Sequence, residues 1–232
     1  MNKRLIIALD FPEAEQALRF VQNIPPESCR LKVGFELFVA EGPVLVHKLI
    51  DLGFDVFLDL KFHDIPNTVA SACKVASRLG VWMINVHALG GEKMLTEAAS
   101  SIQAVPTPPI LIAVTILTSM DSNQLAGIGV KEAPENQVMK LAKMAKDCGL
   151  DGVVCSAQEA EKLNNYFGGE FHLVTPGIRP TNSEKGDQSR VMTPGDAIKA
   201  GASYLVVGRP ITQAVEPLKV IENINQEILL AS

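Results

Sequence analysis

Val56-Phe57-Leu58-Asp59-Leu60-Lys61-Phe62-His63-Asp64-Ile65-Pro66 carries the reading of the fold. Its opening residues are apolar and predict a buried strand that runs on through Asp59 to Lys61. From Ile65-Pro66 into Asn67-Thr68-Val69-Ala70 the pattern turns helical, so one strand passes directly into one helix. Residues two apart on a strand share a face, which sets Asp59 and Lys61 side by side at its C-terminal end. Charges flanked by apolar residues persist in a strand when they pair, and such pairs cluster at functional sites. Asp64 stands beyond the strand, where an Asp before a proline-containing first turn has the position of a helix N-cap.

The same strand-then-helix unit recurs along the chain. Apolar runs at residues 5–9, 31–33, 56–61, 82–87, 110–114, 152–155, 171–174 and 204–207 predict strands. Helical periodicity follows the first run over residues 13–21, and the second as a stretch broken at Gly42-Pro43 and ending near Leu52. It continues after the third to about Leu79 and after the fourth from Met94 to Ile102. A polar stretch then leads to a helix with Val138, Leu141, Ala142 and Ala145 on one face, and a closing helix sets Ile211, Val215, Leu218 and Ile221 in register. Eight strands alternating with helices over 232 residues predict an α/β fold, a single-domain (β/α)8 barrel spanning residues 1–232. Strands that are apolar throughout suit a parallel sheet covered on both faces. A doubly wound open sheet would bring a glycine-rich dinucleotide turn after the first strand, and Asp10-Phe11-Pro12-Glu13 is not one.

A formal net charge of −5 gives no basic field for a nucleic acid polymer, while a small anionic ligand needs only a few local Lys and Arg. The apolar run after Lys3-Arg4 stops at Asp10, too short for a signal or a membrane span, so no membrane partner is expected. Cys29, Cys73, Cys148 and Cys155 have neither metal nor redox spacing and read as reduced thiols, which makes the cytoplasm the default compartment. His63 and His87 read as rim or core histidines, with no second ligand set at metal spacing.

Polar residues fall at the strand ends: Asp10, Lys32, Asp59 and Lys61, Thr118, Arg179, and Gly208-Arg209. In a closed parallel barrel those ends meet at one mouth, where barrel enzymes hold their sites. Gly208-Arg209-Pro210 at the start of a helix predicts a phosphate site, and the polar residues 180–190 suit a lid over a phosphorylated ligand.

These pieces resemble, in order along the chain, those of the bacterial orotidine 5′-phosphate decarboxylase family. They are Leu9-Asp10, Leu31-Lys32-Val33-Gly34, the decapeptide from Asp59 to Thr68, Leu117-Thr118-Ser119-Met120, Pro176-Gly177-Ile178-Arg179-Pro180, Gly186-Asp187-Gln188-Ser189-Arg190 and Val207-Gly208-Arg209-Pro210. The resemblance implies loss of CO2 from orotidine 5′-monophosphate to give uridine 5′-monophosphate in pyrimidine biosynthesis, with no metal or organic cofactor. It implies Lys61 as proton donor to C6, Asp59 beside the departing carboxylate, and Lys32 bridging Asp59 to the ribose. Asp10 would hold ribose, Thr118 the pyrimidine, and Arg179, Gln188, Gly208 and Arg209 the phosphate. Asp64 and Thr68 would reach the neighbouring subunit's site, making a homodimer with shared active sites. The rivals are the sugar-phosphate lyases that share Asp-x-Lys-x-x-Asp but use Mg²⁺ with a Glu ligand where Lys32 stands, and a non-catalytic nucleotide-binding barrel.

Overall fold

The computed structural model describes residues 3–180 and 192–232. Eight parallel strands close into one barrel in chain order. They are β1 (Leu5–Ala8), β2 (Arg30–Val33), β3 (Val56–Phe62), β4 (Met83–His87), β5 (Ile110–Val114), β6 (Gly152–Val154), β7 (His172–Thr175) and β8 (Tyr204–Val207). β8 returns to β1 with Val206 opposite Ile6, which makes the expected (β/α)8 barrel and leaves no strand edge open.

The surrounding helices are α1 (Ala14–Val21), α2 (Phe35–Glu41), α3 (Pro43–Asp51), α4 (Pro66–Ser77), α5 (Gly91–Ile102), α6 (Ser122–Gly127), α7 (Pro134–Asp147), α8 (Ala157–Phe167), α9 (Pro194–Lys199), α10 (Arg209–Thr212) and α11 (Pro217–Ala231). Gly42, at φ +63°, separates α2 from α3 at the expected break, a conformation that suits a residue without Cβ. Three helices fall in stretches read only as polar or as connections, and each has a local start signal. Asp121 and Gln124 form a reciprocal capping box on α6. Ser156 accepts from the Gln158 N–H while Glu159 accepts from the Ser156 N–H at the start of α8, and Thr193 accepts from the Asp196 N–H ahead of α9.

The closing helix departs from its expected register. Pro217 occupies the first turn of α11 and resets the helical phase, so Val215 falls in the connection after α10 and is 99% exposed. Leu218 is exposed too, while Ile221 is buried as expected and is joined by Ile224 and Ile228 in the stripe of α11.

Alternation on the strands divides the core. Leu5, Ile7, Leu31, Val33, Ile84 and Val86 face the helices and join one large cluster with Ala17, Leu49, Val69 and Leu95. Ile6, Phe57, Met83, Ile112 and Val174 form a separate layer that fills the barrel. Below it the Arg30 guanidinium lies 4.1 Å from the Trp82 ring centroid and 5.3 Å from that of Tyr204, and its Nε is 3.2 Å from Asp55 Oδ2. This cluster fills the N-terminal end of the barrel interior, and the open space inside the barrel falls at the C-terminal ends of the strands. Among the described residues no helix is long and apolar enough to cross a membrane.

Candidate active site

At that mouth, three strands contribute one continuous ionic chain. Asp10, just past β1, places Oδ1 3.3 Å from Lys32 Nζ on β2. The same ammonium lies 3.4 Å from Asp59 Oδ2, and Asp59 Oδ1 is 2.7 Å from Lys61 Nζ. Asp59 is buried. Burial acts to raise its carboxyl, but the charges of Lys32 and then Lys61, with hydrogen bonds from Lys61 and Asn85, hold it below the usual carboxylate range. A fixed anion between two cations is therefore the resting state at neutral pH.

Simple strand alternation does not bring Lys61 to Asp59. Between Leu58 and Phe62, β3 advances four residues while β4 advances two, from Ile84 to Val86. The bulge includes Lys61 at φ +44°, the one non-glycine residue with positive φ among those described. That conformation costs roughly 1–2 kcal/mol for a side chain with Cβ, so something must hold it. The holder is Asn85, fully buried on β4: its Oδ1 accepts the Lys61 N–H at 2.7 Å, and its Nδ2 donates to Asp59 Oδ1 at 2.7 Å. Asn85 belongs to no motif and ends no strand, although a lone amide inside the run Met83-Ile84-Asn85-Val86 signals a buried polar group in need of partners.

A cavity of about 160 Å³ opens beside the ionic chain. Lys32, Asp59, Lys61 and Thr118 line its polar side, and Val114, Ile116, Val154, Val174, Pro176 and Val206 its apolar side. This mixture suits a flat ring with polar edges. Gly208 begins α10 beside Asp10, where an added Cβ would sit 3.5 Å from Asp10 Oδ2. Arg179 follows β7, and its guanidinium is held below its usual range by burial and then by the charge of Arg209. Two guanidiniums that repel each other at a barrel mouth suit a shared anion. Gln188 and all of the expected lid beyond Pro180 lie outside the described residues.

Asp64 and Thr68 are exposed and do not line the cavity. The N-cap reading of Asp64 does not hold. Pro66 forces Ile65 into an extended conformation at ψ 149°, so Ile65 takes the cap position of α4, and Asp64 Oδ1 accepts the Ile65 N–H at 2.6 Å. Around them Phe35, Ile65 and Leu89, from the segments following β2, β3 and β4, leave large apolar side chains exposed.

His87 ends β4 at the rim, its ring 5.3 Å from that of His63. Burial, then the charges of His63 and Lys61, lower its pKa to about 4, while Nδ1 accepts from the Leu89 N–H. The unfolded chain thus binds a proton near 6.5 that the folded chain refuses. This residue's contribution to stability is constant above that pH and declines as pH falls toward 4. The expected imidazole titration by proton NMR has its midpoint near 4; a midpoint near 6.5 would place the ring in water.

Comparison with known proteins adds kinship to this geometry. The sequence profile of the family described as "Orotidine 5'-phosphate decarboxylase / HUMPS family" matches residues 3–224. The chain is similar to the orotidine 5′-phosphate decarboxylase of Pseudoalteromonas translucida (strain TAC 125), at 57% identity over 228 residues, 98% of this chain and 97% of that protein. It is similar to that of Hydrogenovibrio crunogenus (strain DSM 25203 / XCL-2), at 56% identity, covering 98% of this chain and 96% of the relative. Among solved structures, the orotidine 5′-phosphate decarboxylase from Lactobacillus acidophilus matches with a TM-score of 0.87 and 40% identity, covering 97% of this chain and 99% of that one.

Proposed function

The chain belongs to the orotidine 5′-phosphate decarboxylase / HUMPS family, and from that premise we propose that it converts orotidine 5′-monophosphate to uridine 5′-monophosphate and CO2, a step of pyrimidine biosynthesis. The family description spans two chemistries, and the ionic chain at the mouth favours one of them. A Mg²⁺-dependent sugar-phosphate lyase needs an anionic ligand on β2. Here Lys32 carries a cation to within 3.4 Å of Asp59, where it would repel a metal. Relatives at 57% and 56% identity bearing the decarboxylase name support the same choice.

The ionic chain and the family likeness support the following course, the role of Gln188 resting on the likeness alone. Arg179, Arg209, the Gly208 N–H and Gln188 hold the phosphate, Asp10 and Lys32 the ribose, and Thr118 the pyrimidine edge. The substrate carboxylate then lies against Asp59. Two like charges 4 Å apart repel by about 4 kcal/mol at an effective dielectric of 20, a strain that ends as CO2 leaves. Cleavage of the carbon–carbon bond leaves its electron pair on C6. Lys61 Nζ attracts that growing charge and then delivers a proton to C6. The neutral amine regains its proton from water, and no metal or organic cofactor enters the balance.

The working unit is a homodimer in which Asp64 and Thr68 complete the partner's site. The exposed Phe35, Ile65 and Leu89 beside the mouth suit such a contact. Four free thiols suit the cytoplasm. The test is an absorbance assay with orotidine 5′-monophosphate. Turnover is expected to persist in excess chelator, whereas activity lost to chelator and restored by Mg²⁺ would assign the chain to the lyases. Nucleotide binding without turnover would make it a binding barrel.

A further inference from the structure

We propose that Asn85 is a positioning residue for decarboxylation, an amide clip that sets both the orientation of the Asp59 carboxylate and the backbone turn that aims Lys61. The inference rests on the decarboxylase reading and adds a residue to its machinery.

One planar group makes both contacts. Asn85 Oδ1 takes the Lys61 N–H and Nδ2 gives a proton to Asp59 Oδ1, each at 2.7 Å, from a side chain with no exposed surface. The amide has only one workable orientation. Turned over, it would set NH2 against the Lys61 N–H and oxygen against a carboxylate oxygen. With Oδ1 of Asp59 shared by Asn85 and Lys61, and Oδ2 left to Lys32, the carboxylate cannot rotate without losing a partner. The other contact replaces a strand hydrogen bond where β3 bulges away from β4, and it holds Lys61 in its left-handed conformation. A bridge of these two contacts needs an acceptor and a donor on one short, rigid group. Ser is too short and Gln too long to provide them in place.

An isosteric exchange isolates the role. In Asn85→Asp the shape remains, but above the pKa of the new pair a second carboxylate faces Asp59 in place of the donor. Once the pair holds a proton, its O–H links the two carboxyls and its carbonyl still accepts from Lys61 N–H. The charged groups bearing on that proton are Asp59 and Lys61 on β3, Lys32 on β2 with Asp10 behind it, and the His87–His63 pair at the rim. β5, on the other side of β4, brings only Ile110–Val114, none of them titratable. His87 stays neutral down to about 4 and does not obscure the effect.

Steady-state kinetics of wild type and both Asn85→Asp and Asn85→Ala test this from pH 8 to pH 5, with circular dichroism and thermal melting to confirm folding. At pH 8 both variants should lose kcat by about 10²-fold, with KM and product affinity changed by less than about threefold. As pH falls, the kcat ratio of Asn85→Asp to wild type should rise, by up to about tenfold per unit, while that of Asn85→Ala stays flat. A merely structural role predicts lower melting temperatures with wild-type kcat at temperatures where the variants are folded, and that result overturns the proposal. So does a loss of kcat in Asn85→Asp that is the same at every pH. Should Asn85→Asp not fold, an unchanged kcat in folded Asn85→Ala overturns it as well. Wild type that fails to turn over orotidine 5′-monophosphate refutes the decarboxylase reading instead, so the two failures are distinguishable.

Discussion

Lys61→Ala is expected to remove turnover, by on the order of 10²–10⁴-fold or more in kcat, while uridine 5′-monophosphate binds nearly as well as to wild type. The expectation follows from where Lys61 gains its interactions. In the resting enzyme its ammonium already has Asp59 at 2.7 Å, and what the reaction adds is negative charge on C6. An interaction that strengthens only along the reaction lowers kcat when removed and leaves ground-state binding alone. Arg209 supplies the contrast: in the proposed function it holds the phosphate in ground and transition states alike, so Arg209→Ala should act mainly through KM. Single-turnover kinetics and product titration of the Lys61→Ala variant separate chemistry from binding. Near-normal turnover without the ammonium would refute the proton-donor role.

The contrast between what alternation predicts at Lys61 and how the residue is held shows where sequence patterns lose their power. Continuous apolar runs mark all eight strands because burial on both faces leaves little choice of residue, and closure in chain order follows from the βα repeat. Pairing of Asp59 with Lys61 was expected from strand alternation. It is achieved by a bulge and a left-handed backbone, which depend on a residue of the next strand, Asn85, and not on local pattern. Asn85 itself was visible as a polar residue in an apolar run, and a demand that every buried amide be matched with partners would have singled it out. α6 and α8 start at Asp121–Gln124 and Ser156–Glu159, so capping chemistry marks where each begins. Pro217 likewise marked the break that put Val215 outside the final helix. At Asn85 and at Pro217 a polar or proline signal governs the backbone where the apolar period alone points elsewhere.

Asp64 is exposed, turned onto its own backbone and not among the residues lining the cavity beside Lys61. In the proposed dimer it belongs to the neighbour's site, so each site draws Lys61 from one chain and Asp64 from the other. Lys61→Ala and Asp64→Ala proteins, each nearly inactive alone, should then complement. A mixed two-fold dimer has one site lacking both residues and one lacking neither. Random reassortment makes half the dimers mixed, so roughly a quarter of all sites are intact, and about that fraction of wild-type activity should return after joint unfolding and refolding. If Asp64 instead acts within its own chain, every site in the mixture carries a defect and no activity returns. Differently tagged chains recovered together establish that exchange took place. Exchange without recovered activity would refute the shared site and leave Asp64 as a residue of its own chain's loop.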